Sequence, residues 1–234
     1  MPERARKSSS QDTAALRLPA HEVIHRQLRA LVLFGDLAPG QPVTIQGLSD
    51  RLNAGMTPVR EAIRRLIAEG ALEFQGNRRV SVPLLTVDNI DELIIARQWL
   101  DPCLTMRATK RATGDDLAHL RALDDDLDRA IAQGDLRGYL EMNYRFHSAL
   151  YALAAAPILA TVADGLWLRF GPSLRVVCGR IGTRNLPDKH KEMLGAMAAG
   201  DSEAAAEAIR EDVTQGMEQV RQSFAPGRDS IDSA

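Results

Sequence analysis

The strongest constraint on this chain lies in residues 55–70, GMTPVREAIRRLIAEG. Val59, Ala62, Ile63, Leu66 and Ile67 recur at helical spacing and form one apolar stripe. Arg60, Glu61 and Arg64 fall on the other side, with Arg65 on the flank. Thr57 is placed to cap the helix and Pro58 to open it, at a position where a missing N–H costs nothing. Gly70 supplies the left-handed residue that ends it. A short helix with arginines near its N-terminus has the geometry to enter a major groove, where guanidinium groups reach base edges and phosphates. On these residues alone, a solvated basic face is the simpler account. The flanking segments decide.

Upstream, Val23, Ile24, Leu28, Leu31 and Val32 give a helix over 19–35, with His25, Arg26 and Arg29 elsewhere on its surface. Gly35 and the Pro39-Gly40 turn end it, and Pro42 forbids its continuation. Thr44 caps a second helix over about 45–53, where Ile45, Leu48 and Leu52 face inward. Downstream, Ala71 to Phe74 and Arg79 to Val82 alternate, joined by Gln75-Gly76-Asn77-Arg78. That predicts a β-hairpin with a polar, basic tip. Three helices and a two-stranded wing make a winged helix-turn-helix. In that plan the third helix lies in the major groove, helix N-termini grip phosphates, and the wing reaches the neighbouring minor groove.

From Thr86 onward the pattern is helical, over about 86–112, 115–133, 135–154, 157–180, 187–199 and 201–223. Gly114, Gly134, Pro157, Pro187 and Gly200 mark the breaks. Short loops imply antiparallel neighbours in a bundle. Ile90, Leu93, Ile94 and Trp99 are the residues expected to pack from its first helix. The expected fold is thus mainly α: a winged helix-turn-helix over 18–84 and an all-α antiparallel bundle over 85–224. Polar segments 1–17 and 225–234 read as flexible tails.

Charge divides the same way. Up to residue 84 there are 12 Lys and Arg against 8 Asp and Glu; beyond it, 17 against 23. A basic front half and an acidic back half suggest that only the front meets a polyanion. Cys103 and Cys178 are too few and too far apart for a disulfide framework or a thiolate metal cluster. No apolar run approaches the roughly 20 residues of a membrane span, and the N-terminus lacks a secretion signal's apolar core. A cytoplasmic protein without membrane contact is expected.

The order LSDRLNAG, MTPVREAIRRLIAEG, ALEFQGNRRVSV resembles the GntR family of bacterial regulators over roughly residues 19–84. The resemblance implies that Arg60 contacts bases, that Thr57 and Arg64 lie at the groove edge, and that Gly76 and Asn77 bring the wing tip to the sugar–phosphate wall. Gln46 stands on the second helix where the family often has a charged residue. Gly55-Met56 replaces a usual Ser-Arg, and Met56 cannot donate to a guanine edge, so operator preference is expected to shift. A lost bidentate contact is worth about 1–3 kcal/mol.

The second half resembles the FCD domain of the FadR-like branch of that family. There, an Asp-x-x-Phe-His helix and two later histidines hold a divalent metal. The matching residues here are Asn143 and His147, then His190, then Asp212. Asn143 replaces an Asp and Asp212 a His; both still offer oxygen. Such a set suits Zn²⁺, Ni²⁺ or Mn²⁺ less selectively than three histidines. The other account of His147 and His190 is a metal-free pocket. Arg97 sits where the family often faces the cavity: it either pairs with a carboxylate effector or makes a structural ion pair.

These residues imply a DNA-binding transcription regulator, a homodimer on a palindromic operator in double-stranded DNA, governed by a small carboxylate metabolite. Two alternatives remain open. One is a bundle that only dimerises. The other is a metal-dependent enzyme with Asp188 or Glu192 as base, which leaves the Arg60 helix and the basic hairpin unexplained.

Overall fold

The computed structural model describes residues 19–76, 79–181 and 189–224. Its elements run α1 (Ala20–Leu33), β1 (Pro42–Val43), α2 (Ile45–Leu52), α3 (Met56–Ala68), β2 (Glu73–Gln75) and β3 (Arg79–Ser81). Then follow α4 (Val87–Thr109), α5 (Gly114–Gln133), α6 (Leu136–Leu153), α7 (Pro157–Ile181), α8 (His190–Ala198) and α9 (Ser202–Gln222). The first six form a winged helix-turn-helix headpiece and the last six a helical bundle. No helix among the described residues is long and apolar enough to cross a membrane.

The headpiece holds together because three amphipathic helices share one core. Leu28 and Val32 of α1, Leu48 of α2, and Val59 and Leu66 of α3 are buried in it. Thr44 Oγ1 accepts the Gly47 N–H at 3.0 Å and starts α2 as expected. The start of α3 differs from the sequence reading. Its N-cap is Gly55, no side chain caps it, and Thr57 lies within the first turn. Pro58 is therefore the third helical residue. First-turn N–H groups have no intrahelical acceptor, so its missing donor is tolerated there too. Gly70, φ +75°, follows α3 in the left-handed conformation expected of it. A Cβ at Gly70 would also stand 2.5 Å from the Arg169 guanidinium.

The wing is a three-stranded antiparallel sheet in the order β1-β3-β2, with Val80 between Val43 and Phe74. The sequence predicts two strands. A two-residue strand such as β1 shows no readable period, and Pro42 at a sheet edge costs no ladder bond. Ala71 and Leu72 stay out of β2 because both are drawn into the core.

Two polar residues of α1 are not where the helical wheel puts them. His25 is buried, its Nε2 3.0 Å from Glu69 Oε1. Arg29 reaches across to Asp164 of α7 at 2.5 Å and to the Tyr144 hydroxyl of α6 at 3.2 Å. Their partners are distant in sequence, so periodicity cannot reveal them. The end of α1 also packs closely on α7 at Gly171, where a Cβ would lie 2.3 Å from the Leu33 carbonyl oxygen.

In the bundle α4 packs along α9, α5 on α6, and α8 on both α5 and α9. Helix starts are written in side chains. Thr86 with Asn89, and Thr113 with Asp116, form reciprocal capping boxes at α4 and α5. The inner face of α4 carries Ile90, Leu93, Leu104 and Ala108, and it admits Arg97 and Asp101 as a pair. Trp99, expected to pack, is instead 78% exposed. Cys178 is buried and Cys103 exposed, and both are free thiols.

Candidate functional site

Two sites emerge, one on the headpiece surface and one inside the bundle. On the headpiece, α3 buries Val59, Ala62, Ile63 and Leu66 and so turns Arg60, Glu61 and Arg64 outward. Arg60 is exposed and makes no ion pair with another described residue. Arg64 pairs with Glu61 at 2.9 Å, both well exposed, a contact easily exchanged for a phosphate. Arg65 serves the fold instead, bonded to Glu22 of α1 at 2.8 Å and to Glu69 at 3.0 Å. Thr57 and Gln46 are exposed, and the Gln46 amide donates to Asp50 at 2.8 Å.

Between α3 and the wing runs a cleft of about 550 Å³ lined by Arg60, Ile63, Arg64, Phe74, Arg79 and Val80. Gly76, φ +23°, lies exposed at the wing tip; Asn77 falls outside the described residues. Arg79 and Phe74 are members of this surface that sequence reasoning passed over. The Arg78-Arg79 doublet beside the turn was the available signal for the first.

Inside the bundle, His147 of α6, His190 of α8 and Asp212 of α9 converge. His147 Nε2 is 3.4 Å from Asp212 Oδ2, and His190 Nε2 is 3.8 Å from Asp212 Oδ1. The three donor atoms lie within 4.8 Å of one another. Two ligands bonded to one ion at about 2.1 Å stand no more than about 4.2 Å apart, so the carboxylate distances suit a shared ion. Each histidine is 2% exposed or less, and the rings are 5.4 Å apart. His190 Nδ1 lies 3.0 Å from Asp124 Oδ1 of α5, which leaves Nε2 to face inward. Asp124 belongs to no motif, so the sequence does not single it out.

Burial pushes the His147 imidazole below its ordinary value and keeps it neutral, the form a metal ligand needs. Burial raises the Asp212 carboxyl, but the two imidazoles more than offset this and hold it down at about 2. These groups fit a divalent cation of the kind that imidazole and carboxylate select.

Asn143, one turn before His147, lines the same cavity of about 40 Å³, as do Arg97 and Trp167. That is room for an ion and a few waters. Arg97 is 4% exposed, with Nε and Nη2 on Asp101 Oδ2 at 3.0 and 2.7 Å. Its guanidinium lies 4.7 Å from the Trp167 ring centroid and 4.8 Å from that of Phe170. The ion pair considered for Arg97 is thus made, and the residue still walls the cavity. Of the two candidate bases, Asp188 lies outside the described residues, and Glu192 is spent at the surface on Lys189 at 2.8 Å.

Comparison with known proteins bears on both domains. Residues 20–82 match the family model of bacterial regulatory proteins of the gntR family, and residues 92–215 match that of the FCD domain. The HTH-type transcriptional regulator McbR of Escherichia coli is 28% identical over 204 residues, 86% of this chain and 92% of that protein. The solved structure of E. coli McbR superposes with a TM-score of 0.84 at 27% identity, covering 89% of this chain and all of that one. A second structure, a GntR regulator from a Rhodococcus species, shares the fold at a TM-score of 0.73 and 24% identity, over 88% of this chain and 99% of its own.

Proposed function

We propose, from the premise that this chain belongs to the GntR family of transcription regulators that carry an FCD domain, that it is a repressor whose hold on a palindromic operator is set by a small carboxylate. The family assignment makes it a DNA-binding regulator and not an enzyme. The division of labour gives residues 18–84 to DNA and 85–224 to effector binding and dimerisation. Such a protein works in the cytoplasm, where its DNA is.

The observation that carries the reading is Arg60. It stands exposed on a helix whose other face is sealed into the core, with no described carboxylate to neutralise it. From there it reaches base edges in a major groove, while Thr57, Gln46 and Arg64 meet the groove edge and Gly76 and Asn77 bring the wing to the backbone. One headpiece reads few base pairs, so two related half-sites on a homodimer supply usable affinity.

In the bundle, His147, His190, Asp212 and the Asn143 side-chain oxygen would hold Zn²⁺, Ni²⁺ or Mn²⁺. Once bound, such an ion supplies a Lewis-acid anchor for one carboxylate oxygen. Arg97, held in place by Asp101, adds fixed positive charge to the cavity wall.

Selection of bound sequences from a random DNA pool, with and without a mixture of carboxylates and metals, tests the whole reading. A palindromic site should emerge, and Arg60→Ala should weaken binding to it by about 1–3 kcal/mol. Unchanged binding by Arg60→Ala at moderate salt would show that α3 is not the reading helix.

A further inference from the structure

His147 and His190 are held in very different ways. His147 Nδ1 is buried with no hydrogen-bond partner among the described residues, so no polar group holds that ring from behind; its Nε2 faces Asp212 Oδ2 at 3.4 Å. His190 is gripped from two sides. Phe146 stacks on it at 3.8 Å between centroids, and Asp124 Oδ1 stands 3.0 Å from Nδ1. Asp124 is itself 3% exposed and comes from a different helix, α5, 66 residues away in sequence. A buried carboxylate without partners would be costly. This one is placed between His190 and the Lys191 ammonium, 3.4 Å from its second oxygen.

We infer that Asp124 is the positioning residue of the bundle's metal centre, fixing the tautomer and the plane of His190. The inference rests on the metal reading given above. An ionised carboxylate only accepts hydrogen bonds, so the nitrogen facing it must carry the proton. Nδ1 is then the N–H, and Nε2 presents its lone pair toward Asp212 and the ion. Turning the ring over would set a carbon against the carboxylate and withdraw Nε2 from the centre. Metal-bound histidines commonly donate their second N–H to a carboxylate, which makes the ligand more basic, and loss of that partner weakens metal binding about 10–100-fold. Asp124 thus makes one half of the site ready before an ion arrives.

The test uses the full chain, stripped of metal, with Zn²⁺ and Co²⁺ as probes. Dissociation constants come from chelator competition and ligand geometry from the visible bands of bound Co²⁺. Asp124→Asn should bind Zn²⁺ about 10–100-fold more weakly and shift the Co²⁺ bands, while the Tm of the metal-free protein stays near that of the parent. Lys191→Ala, which removes only the exposed neighbour, should leave both readouts unchanged. If Asp124→Asn does not fold, Asp124→Leu, close in shape and needing no partner, reports the same ratio. Parental affinity and bands in the Asp124 variant, with Zn²⁺ binding lost in His147→Ala, would overturn the role of Asp124 and leave the metal centre standing. Failure of the parent itself to bind Zn²⁺ would overturn both.

Discussion

Arg60 and Arg65 sit five positions apart on α3 and have opposite uses. Arg65 is consumed by Glu22 and Glu69, while Arg60 stays available to a polyanion. The buried histidines show the same principle acting on protons. Burial lowers His25 despite the pull of Glu69, and burial lowers His147 despite that of Asp212. Both have an ordinary value of 6.5, so near that pH the unfolded chain takes up protons that the native chain refuses. The sign follows: their contribution to stability is present above pH 6.5 and is lost as the pH falls below it. The Tm of the metal-free protein should therefore decline between pH 7 and 5, and His25→Gln should flatten part of that decline. A Tm that rises over this interval would contradict the burial of both rings. Little of this was legible in sequence. Arg60 could be read because its neighbours have a period. His25, Arg29 and Asp124 could not, because their partners lie 44, 135 and 66 residues away.

Elements were more legible than residues where their ends are written in side chains. Thr44 announces α2 through a hydroxyl cap, and in the structure Thr86 and Thr113 start α4 and α5 in the same way. The start of α3 was displaced because Gly55 caps without a side chain, and β1 was missed because two residues carry no pattern. The inner face of α4 escapes periodicity for a third reason: counting apolar residues favours Trp99 over Arg97, yet pairing with Asp101 brings the arginine inside. Trp99 and Ile95, one turn apart on α4, are left exposed, as are Ile158 and Val162, one turn apart on α7. Exposed large apolar side chains mark a candidate contact, and the homodimer proposed above needs a self-complementary surface. Trp99→Glu should therefore weaken dimerisation by about 2 kcal/mol or more, as loss of a central aromatic does. Sedimentation velocity would then show a parent dimer and a largely monomeric variant. A variant that sediments as the parent does would remove this face from the interface.

At the scale of the molecule, the question is how a buried site of about 40 Å³ could influence a helix on another domain. Several contacts join headpiece and bundle, and one of them runs through Tyr144. It follows Asn143 on α6, and its hydroxyl donates to Asp164 at 2.5 Å and accepts from Arg29 of α1 at 3.2 Å. Its ring meets Phe34, just past α1, at 6.0 Å on one side and Trp167 at 5.6 Å on the other. Trp167 in turn lies 5.2 Å from His147. Arg137 of α6 adds a second tie, paired with Asp36 and stacked over Phe34. A ligand that moves α6 by a fraction of a turn must disturb the Arg29–Asp164–Tyr144 triangle, and with it the seat of α1, on which α3 packs. This run of contacts specifies the variant that would reveal coupling. Tyr144→Phe keeps both ring contacts and deletes only the hydroxyl. It should bind Zn²⁺ like the parent, because Tyr144 is not among the converging donors. The ratio of operator affinities with and without Zn²⁺ plus a carboxylate mixture, typically 5–150-fold in coupled systems, should collapse toward unity. A full ratio in Tyr144→Phe would mean that the signal leaves the bundle by another route, with Arg137 and Asp36 next to be tested.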